Sequence, residues 1–176
     1  MPDAPGLELI RGEIEEDHPG AVLATSFDHG QASLVVDPGQ VLEVLRWLRE
    51  APGQDYGFLS SLHAADYLPA QPRFGIHYEL LNRDRVERLR VKAMLADPAL
   101  TQEGGELPEI DSCVELFATA EFQEREVFDF FGIVFRGHPD LTRILLPDDY
   151  VGWPQRRDFP IGGEPVTFTY NEHANG

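Results

Sequence analysis

Residues 73–95, RFGIHYELLNRDRVERLRVKAML, decide the fold. Phe74, Ile76, Tyr78 and Leu80 recur at every second position, and so do Leu89, Val91, Ala93 and Leu95. A period of two gathers each set on one face of a strand. Arg88, Arg90 and Lys92 interleave with the second set, so the opposite face of that strand is wet. Strands are therefore predicted over 73–81 and 86–95, following a third candidate at 58–64.

Working outward toward the N-terminus, AVLATSF and QASLVVD flank Asp28-His29-Gly30. That pattern predicts a hairpin with Gly30 available for a positive φ. Leu7, Ile10 and Ile14 share one helical face, giving a short helix that ends near His18-Pro19-Gly20. Asp37-Pro38 offers an N-cap and a first-turn proline. Val41, Val44, Leu45 and Leu48 then follow at helical spacing until Pro52-Gly53 stops them. The order α-β-β-α-β-β-β predicts an α+β fold, with helices packed on a largely antiparallel sheet.

Composition narrows the function. A formal charge of −17 disfavours a general nucleic-acid surface, which needs a basic stripe. The single cysteine, Cys113, excludes an internal disulfide and a four-thiolate cluster or zinc site supplied by this chain. Its apolar setting reads as a buried structural thiol. The N-terminal MPDAPGLELIRGEIEED lacks the basic region and apolar run of a secretory signal. The longest apolar run, around Phe130–Phe135, falls well short of the roughly 20 residues that span a bilayer.

Toward the C-terminus, DPALTQEGGELPEI reads as an acidic loop with Gly104-Gly105 at its tip. Ser112-Cys113-Val114-Glu115 has capping-box spacing, so a helix is expected to begin there. From Glu121 to Phe131 the pattern is amphipathic, with Val127, Phe130, Phe131 and Val134 on one face. Glu121, Arg125 and Asp129 step by four along another, a candidate charge ladder. Gly132 is the natural C-cap. These features define an α+β globular domain over 1–135.

After Arg136 the texture changes. Pro139, Pro147, Pro154, Pro160 and Pro165 recur among glycines, and helical periodicity stops. Leu141, Ile144, Leu145, Leu146, Tyr150, Trp153 and Phe159 make the segment too apolar for a solvated linker. Residues 136–176 are therefore expected to be an extended, proline-rich segment that lies on a partner in preference to the body.

The chemistry-bearing residues show no self-sufficient active site. Glu124 and Glu126 stand two apart on a helix and point to different faces, so they cannot flank one substrate atom. His138, Asp140 and Asp148-Asp149 match no standard metal spacing, and Pro139 makes a rigid turn the simpler account. His63 and His77 fall in strands and read as satisfied imidazoles. Arg156-Arg157-Asp158 reads as a clamp on acidic groups of the chain or of a partner.

Residues 124–159, EREVFDFFGIVFRGHPDLTRILLPDDYVGWPQRRDF, carry a resemblance. Glu124-Arg125-Glu126, Asp129, Gly132-Ile133, Gly137-His138-Pro139-Asp140-Leu141, Arg143-Ile144-Leu145 and Arg157-Asp158-Phe159-Pro160 are similar to the signature of the C subunit, or 30 kDa-type, family of respiratory complex I, the proton-pumping NADH:quinone oxidoreductase. Thr142 stands where the family usually has Arg, and Gln155 where it often has Leu.

The resemblance implies a non-catalytic peripheral-arm subunit at the cell membrane, on its cytoplasmic side. It implies no cofactor in this chain, with FMN, iron–sulfur clusters and quinone belonging to partner subunits. It implies packing against the D subunit, which helps form the quinone site, and a form not fused to that subunit. Residues 121–135 would present the charged ladder and 136–160 would wrap the partner. The implied interface comprises Glu124, Arg125, Glu126, Asp129, His138, Asp140, Arg143, Trp153, Arg156, Arg157, Asp158 and Phe159, with Arg143, Arg156 and Arg157 meeting acidic groups. The alternative reading is the equivalent subunit of a related membrane-bound hydrogenase or other quinone-linked dehydrogenase.

Overall fold

The computed structural model describes residues 2–98 and 106–160. The Gly104-Gly105 tip and Pro165 lie outside these described residues.

Asp3 opens α1 (Ala4–Asp17) by accepting the Gly6 N–H at 2.8 Å, and Leu7, Ile10 and Ile14 form its buried stripe. The helix ends where the sequence places it. The Glu15 carboxylate then accepts the N–H groups of Gly20 and Val22, each at 2.8 Å, and so turns the chain into the sheet.

β1 (Val22–Asp28) and β2 (Gln31–Val36) form the expected antiparallel hairpin. His29 and Gly30 both take positive φ, 52° and 74°, as a two-residue turn matched to strand twist requires. Asp37 caps a 3-10 turn at Pro38–Gln40 by accepting Gly39 N–H, and α2 (Val41–Glu50) continues from it.

β3 (Phe58–Asp66), β4 (Phe74–Asn82) and β5 (Glu87–Leu95) complete a five-stranded sheet in the order β1-β2-β5-β4-β3. Every neighbouring pair is antiparallel except β2 with β5. The architecture is thus α+β on a largely antiparallel sheet. One sheet face carries Phe74, Ile76, Tyr78 and Leu80 beside Leu89, Val91, Ala93 and Leu95, all buried in a core shared with α1 and α2. Tyr78 is fully enclosed and its hydroxyl has no hydrogen-bond partner among the described residues; burial pushes its pKa up.

The helix expected at Ser112 does not form there. β6 (Glu109–Asp111) pairs in parallel with β7 (Val134–Arg136), residues 112–119 make successive turns, and α3 begins at Ala120 and ends at Phe131. Ser112 Oγ accepts the Val114 N–H at 3.3 Å, but its hydroxyl donates to Glu124 and its N–H pairs with the Arg136 carbonyl, so the capping-box return from Glu115 is not made.

Candidate docking face

α3 is fixed to the sheet edge by two polar side chains. Thr119 Oγ1 donates to the Leu59 carbonyl at 2.9 Å, and Gln123 Oε1 accepts the Leu62 N–H. β3 is the sheet's outer strand, so these contacts occupy backbone groups that an open edge would expose.

On the inner side of α3, Glu124 is fully buried. Its carboxylate accepts Ser112 Oγ–H at 2.6 Å and Cys113 N–H at 2.7 Å. Burial raises its pKa, against those two hydrogen bonds. Cys113 is buried beside it, and burial pushes the thiol well up, consistent with an inert structural cysteine. Glu124 thus ties the 112–119 turns to α3, whereas Glu126 is exposed.

The i, i+4 charge ladder is not what the helix builds. Arg125 turns away from Glu121 to the following segment: Nη2 donates to Thr142 Oγ1 at 2.9 Å and Arg143 O at 3.2 Å, with Asp140 3.9 Å from Nη1. Asp129, also fully buried, pairs with Arg143 at 2.7 Å and accepts the N–H groups of Ile144, Leu145 and Leu146. Burial alone would raise this carboxyl. The backbone donors and Arg143 outweigh it and hold its pKa low.

His138 is a turn residue. Its Nδ1 accepts Asp140 N–H at 3.0 Å, which leaves the ring proton on Nε2 to donate to the Glu121 carbonyl at 3.0 Å. Among the described residues, no group of three or more His, Cys, Asp and Glu side chains is placed to hold a metal ion.

Residues 137–160 form a strap over the chain's own body, where the sequence reading favoured a partner surface. Arg143 Nη2 donates to the carbonyls of Tyr150 and Gly152, and its guanidinium lies 4.7 Å from the Trp153 ring. Trp153 packs edge-on against Phe128 at 5.4 Å and covers Gly132. Gly132 has φ 66°, and a Cβ there would lie 2.4 Å from the indole. Arg156 Nε donates to the Phe131 carbonyl at 2.7 Å, and Phe159 stacks on Tyr150 at 6.4 Å. Arg143, expected to meet acidic groups elsewhere, is thus spent within the chain; Arg156 is held through Nε, with its buried Nη2 lacking a hydrogen-bond partner among the described residues, and Arg157 is exposed.

The residue that sequence reasoning missed is Arg73, at the threshold of β4. It is 1% exposed, and all five of its N–H donors are used. Asp66 takes Nε at 3.0 Å and Nη2 at 2.7 Å, Asp97 takes Nη1 at 2.7 Å, and Asp158 takes Nη1 at 3.0 Å and Nη2 at 2.6 Å. Asp66 also accepts the N–H of Leu68 and of Arg157. Burial would raise the Asp66 carboxyl, but Arg73 and these backbone donors bring it down to about 2. No local pattern announces a contact between residues 85 apart in sequence.

The strap and α3 leave both polar and apolar side chains outward: Glu126, Asp140, Asp148, Asp149 and Arg157 are exposed, and so are several large apolar residues. Phe122 is 58% exposed, Leu145 60% and Val151 89%, with Ile144 partly exposed beside them. Arg125 joins the two elements, lying 5.7 Å from the Phe122 ring while donating to the Arg143 carbonyl. Exposed apolar side chains on a hydrogen-bonded support make this module a candidate docking face.

Comparison with known proteins gives that module its family. The model of the respiratory-chain NADH dehydrogenase 30 kDa subunit matches residues 34–165. The C subunit of the Roseiflexus castenholzii NADH-quinone oxidoreductase is 41% identical over 163 residues, 93% of this chain and 89% of that protein. Its counterpart in Herpetosiphon aurantiacus is 42% identical over 148 residues, 82% of this chain and 80% of its own length.

Among solved structures, a trypsin-resistant fragment of Nqo5 superposes with a TM-score of 0.60 at 26% identity, covering 77% of this chain and 98% of the fragment. A chain of an archaeal membrane-bound sulfane sulfur reductase shares the fold, with a TM-score of 0.67 at 23% identity over 88% of this chain and 85% of that one. This chain belongs to the family of the 30 kDa subunit of respiratory-chain NADH dehydrogenase, as the resemblance in residues 124–159 implied.

Proposed function

We propose that this chain is a non-catalytic docking subunit of NADH:quinone oxidoreductase that uses the α3–strap face to seat the D subunit. The single observation that carries this reading is the exposed apolar group Phe122, Ile144, Leu145 and Val151, held by two fully used polar anchors at Asp129 and Arg73. Large exposed apolar side chains on a supported surface mark a protein interface.

In this reading the chain binds no cofactor, and FMN, iron–sulfur clusters and quinone reside in partner subunits. Among the described residues, no helix is long and apolar enough to cross a membrane. The subunit is placed at the cytoplasmic side of the cell membrane through the complex. Electrons pass from NADH to quinone in the partners, coupled to proton translocation, and this chain acts by position. Position matters chemically, since a misplacement of about 1 Å can cost on the order of 100-fold in rate.

The test is recovery of a tagged chain from native membranes in mild detergent, with partner identification and an NADH:quinone assay on the eluate. A flavin- and cluster-bearing complex containing the D subunit is the expected result. A chain recovered alone would overturn the reading.

A further inference from the structure

We propose that Arg73 and Asp158 form a latch that preorganises the strap for docking; this rests on the docking role proposed above. The body builds one half of the latch without the strap. Asp66, at the end of β3, and Asp97, just after β5, are both buried and orient the Arg73 guanidinium. That orientation leaves one N–H on Nη1 and one on Nη2 pointing together, a two-pronged socket suited to a carboxylate. The strap contributes the matching group, Asp158, and the adjacent Arg157 N–H closes on Asp66 Oδ2 at 2.8 Å.

Charge and exposure say what the latch is for. Three carboxylates meet Arg73, and a second cation, Arg156, lies over the same Phe74 ring at 5.0 Å, where Arg73 lies at 4.7 Å. The Asp158 side chain is half exposed, unlike Asp66 and Asp97. Asp158 is the solvent-screened member, and without it Arg73 keeps Asp66 and Asp97 while its two freed N–H groups open toward water, so global stability changes little. The latch's effect is positional: Asp129 pins the strap at 144–146 and Asp158 pins it at its far end, so Ile144 and Leu145 sit at one fixed point and Val151 between the two. A segment already ordered before binding avoids the entropy cost of ordering on contact.

The experiment compares wild type, Asp158→Ala and Asp158→Glu as full chains. Amide exchange is measured on the isolated proteins, and incorporation into the membrane complex is measured in competition with untagged wild type. For Asp158→Ala, exchange over residues 150–160 should accelerate at least about 10-fold while the urea midpoint stays close to wild type. Its incorporation should fall on the order of 10-fold, with Asp158→Glu recovering part of it.

Unchanged exchange would overturn the latch. Faster exchange with undiminished incorporation would overturn preorganisation. A wild-type chain that enters no respiratory complex would instead overturn the docking role, and this proposal with it.

Discussion

Arg143 Nη1 lies 2.7 Å from Oδ1 of Asp129, while Oδ2 of the same carboxylate receives three consecutive backbone N–H groups from residues 144–146. One fully buried side chain on α3 therefore fixes the start of the strap. Removing it strands a mostly buried guanidinium and three N–H donors. Asp129→Ala should cost about 3 kcal/mol or more, the range for breaking a buried pair from one side. Asp129→Asn keeps an acceptor and should cost less. Urea unfolding of both variants checks the order; equal, small losses would contradict it.

The strap's second support is steric. Gly132 ends α3 with φ 66° and lies under the Trp153 indole. Gly132→Ala should destabilise by roughly 1 kcal/mol from backbone strain, with a further loss from displacing Trp153. Trp153 fluorescence should shift toward that of a solvated indole. An unshifted spectrum would show that the ring is not seated there.

Acid should weaken the fold through two windows. Burial first, then His63, Lys92 and Arg90, hold the His77 imidazole at about 3. His63, stacked on it at 4.9 Å, is lowered in the same direction, chiefly by burial. A folded pKa below the unfolded value of about 6.5 means that the unfolded chain takes up the proton first. Stability is then full above about pH 6.5 and is lost as pH falls toward about 3, by up to ~1.4 kcal/mol per pH unit for one proton.

Asp66 adds a second loss from about pH 4 down to about 2, and Asp129 and Asp158 act in the same direction. Glu124, raised by burial, acts in the opposite sense. Denaturation of wild type and His77→Asn between about pH 7.5 and about pH 5, above the carboxylate window, isolates the histidine contribution. The variant should show the flatter profile; parallel profiles would remove His77 as the cause.

The legible parts of the fold were those written locally. The period of two through residues 74–95 gave the two adjoining strands, and His29-Gly30 gave the hairpin turn. Gly132 gave the end of α3. Ser112 misled because its hydroxyl donates to Glu124, twelve residues on, and its N–H pairs with Arg136, so its bond to the Val114 N–H closes a turn and starts no helix. The charge ladder misled for the same reason: Arg125 and Asp129 find better partners in the strap than on their own helix. Composition showed that the strap needs an apolar surface, but not that its first partner is the chain itself. Arg73 was invisible because its three carboxylates come from separate parts of the chain.

The most direct test of the docking account is site-specific photo-crosslinking in the intact membrane complex. Crosslinking residues replace Phe122 and Leu145 on the proposed face, and Leu9, exposed on α1, as the control. The account predicts that positions 122 and 145 capture the D subunit and that position 9 does not. Capture of the D subunit from position 9, with none from 122 or 145, would place the docking surface elsewhere and contradict it.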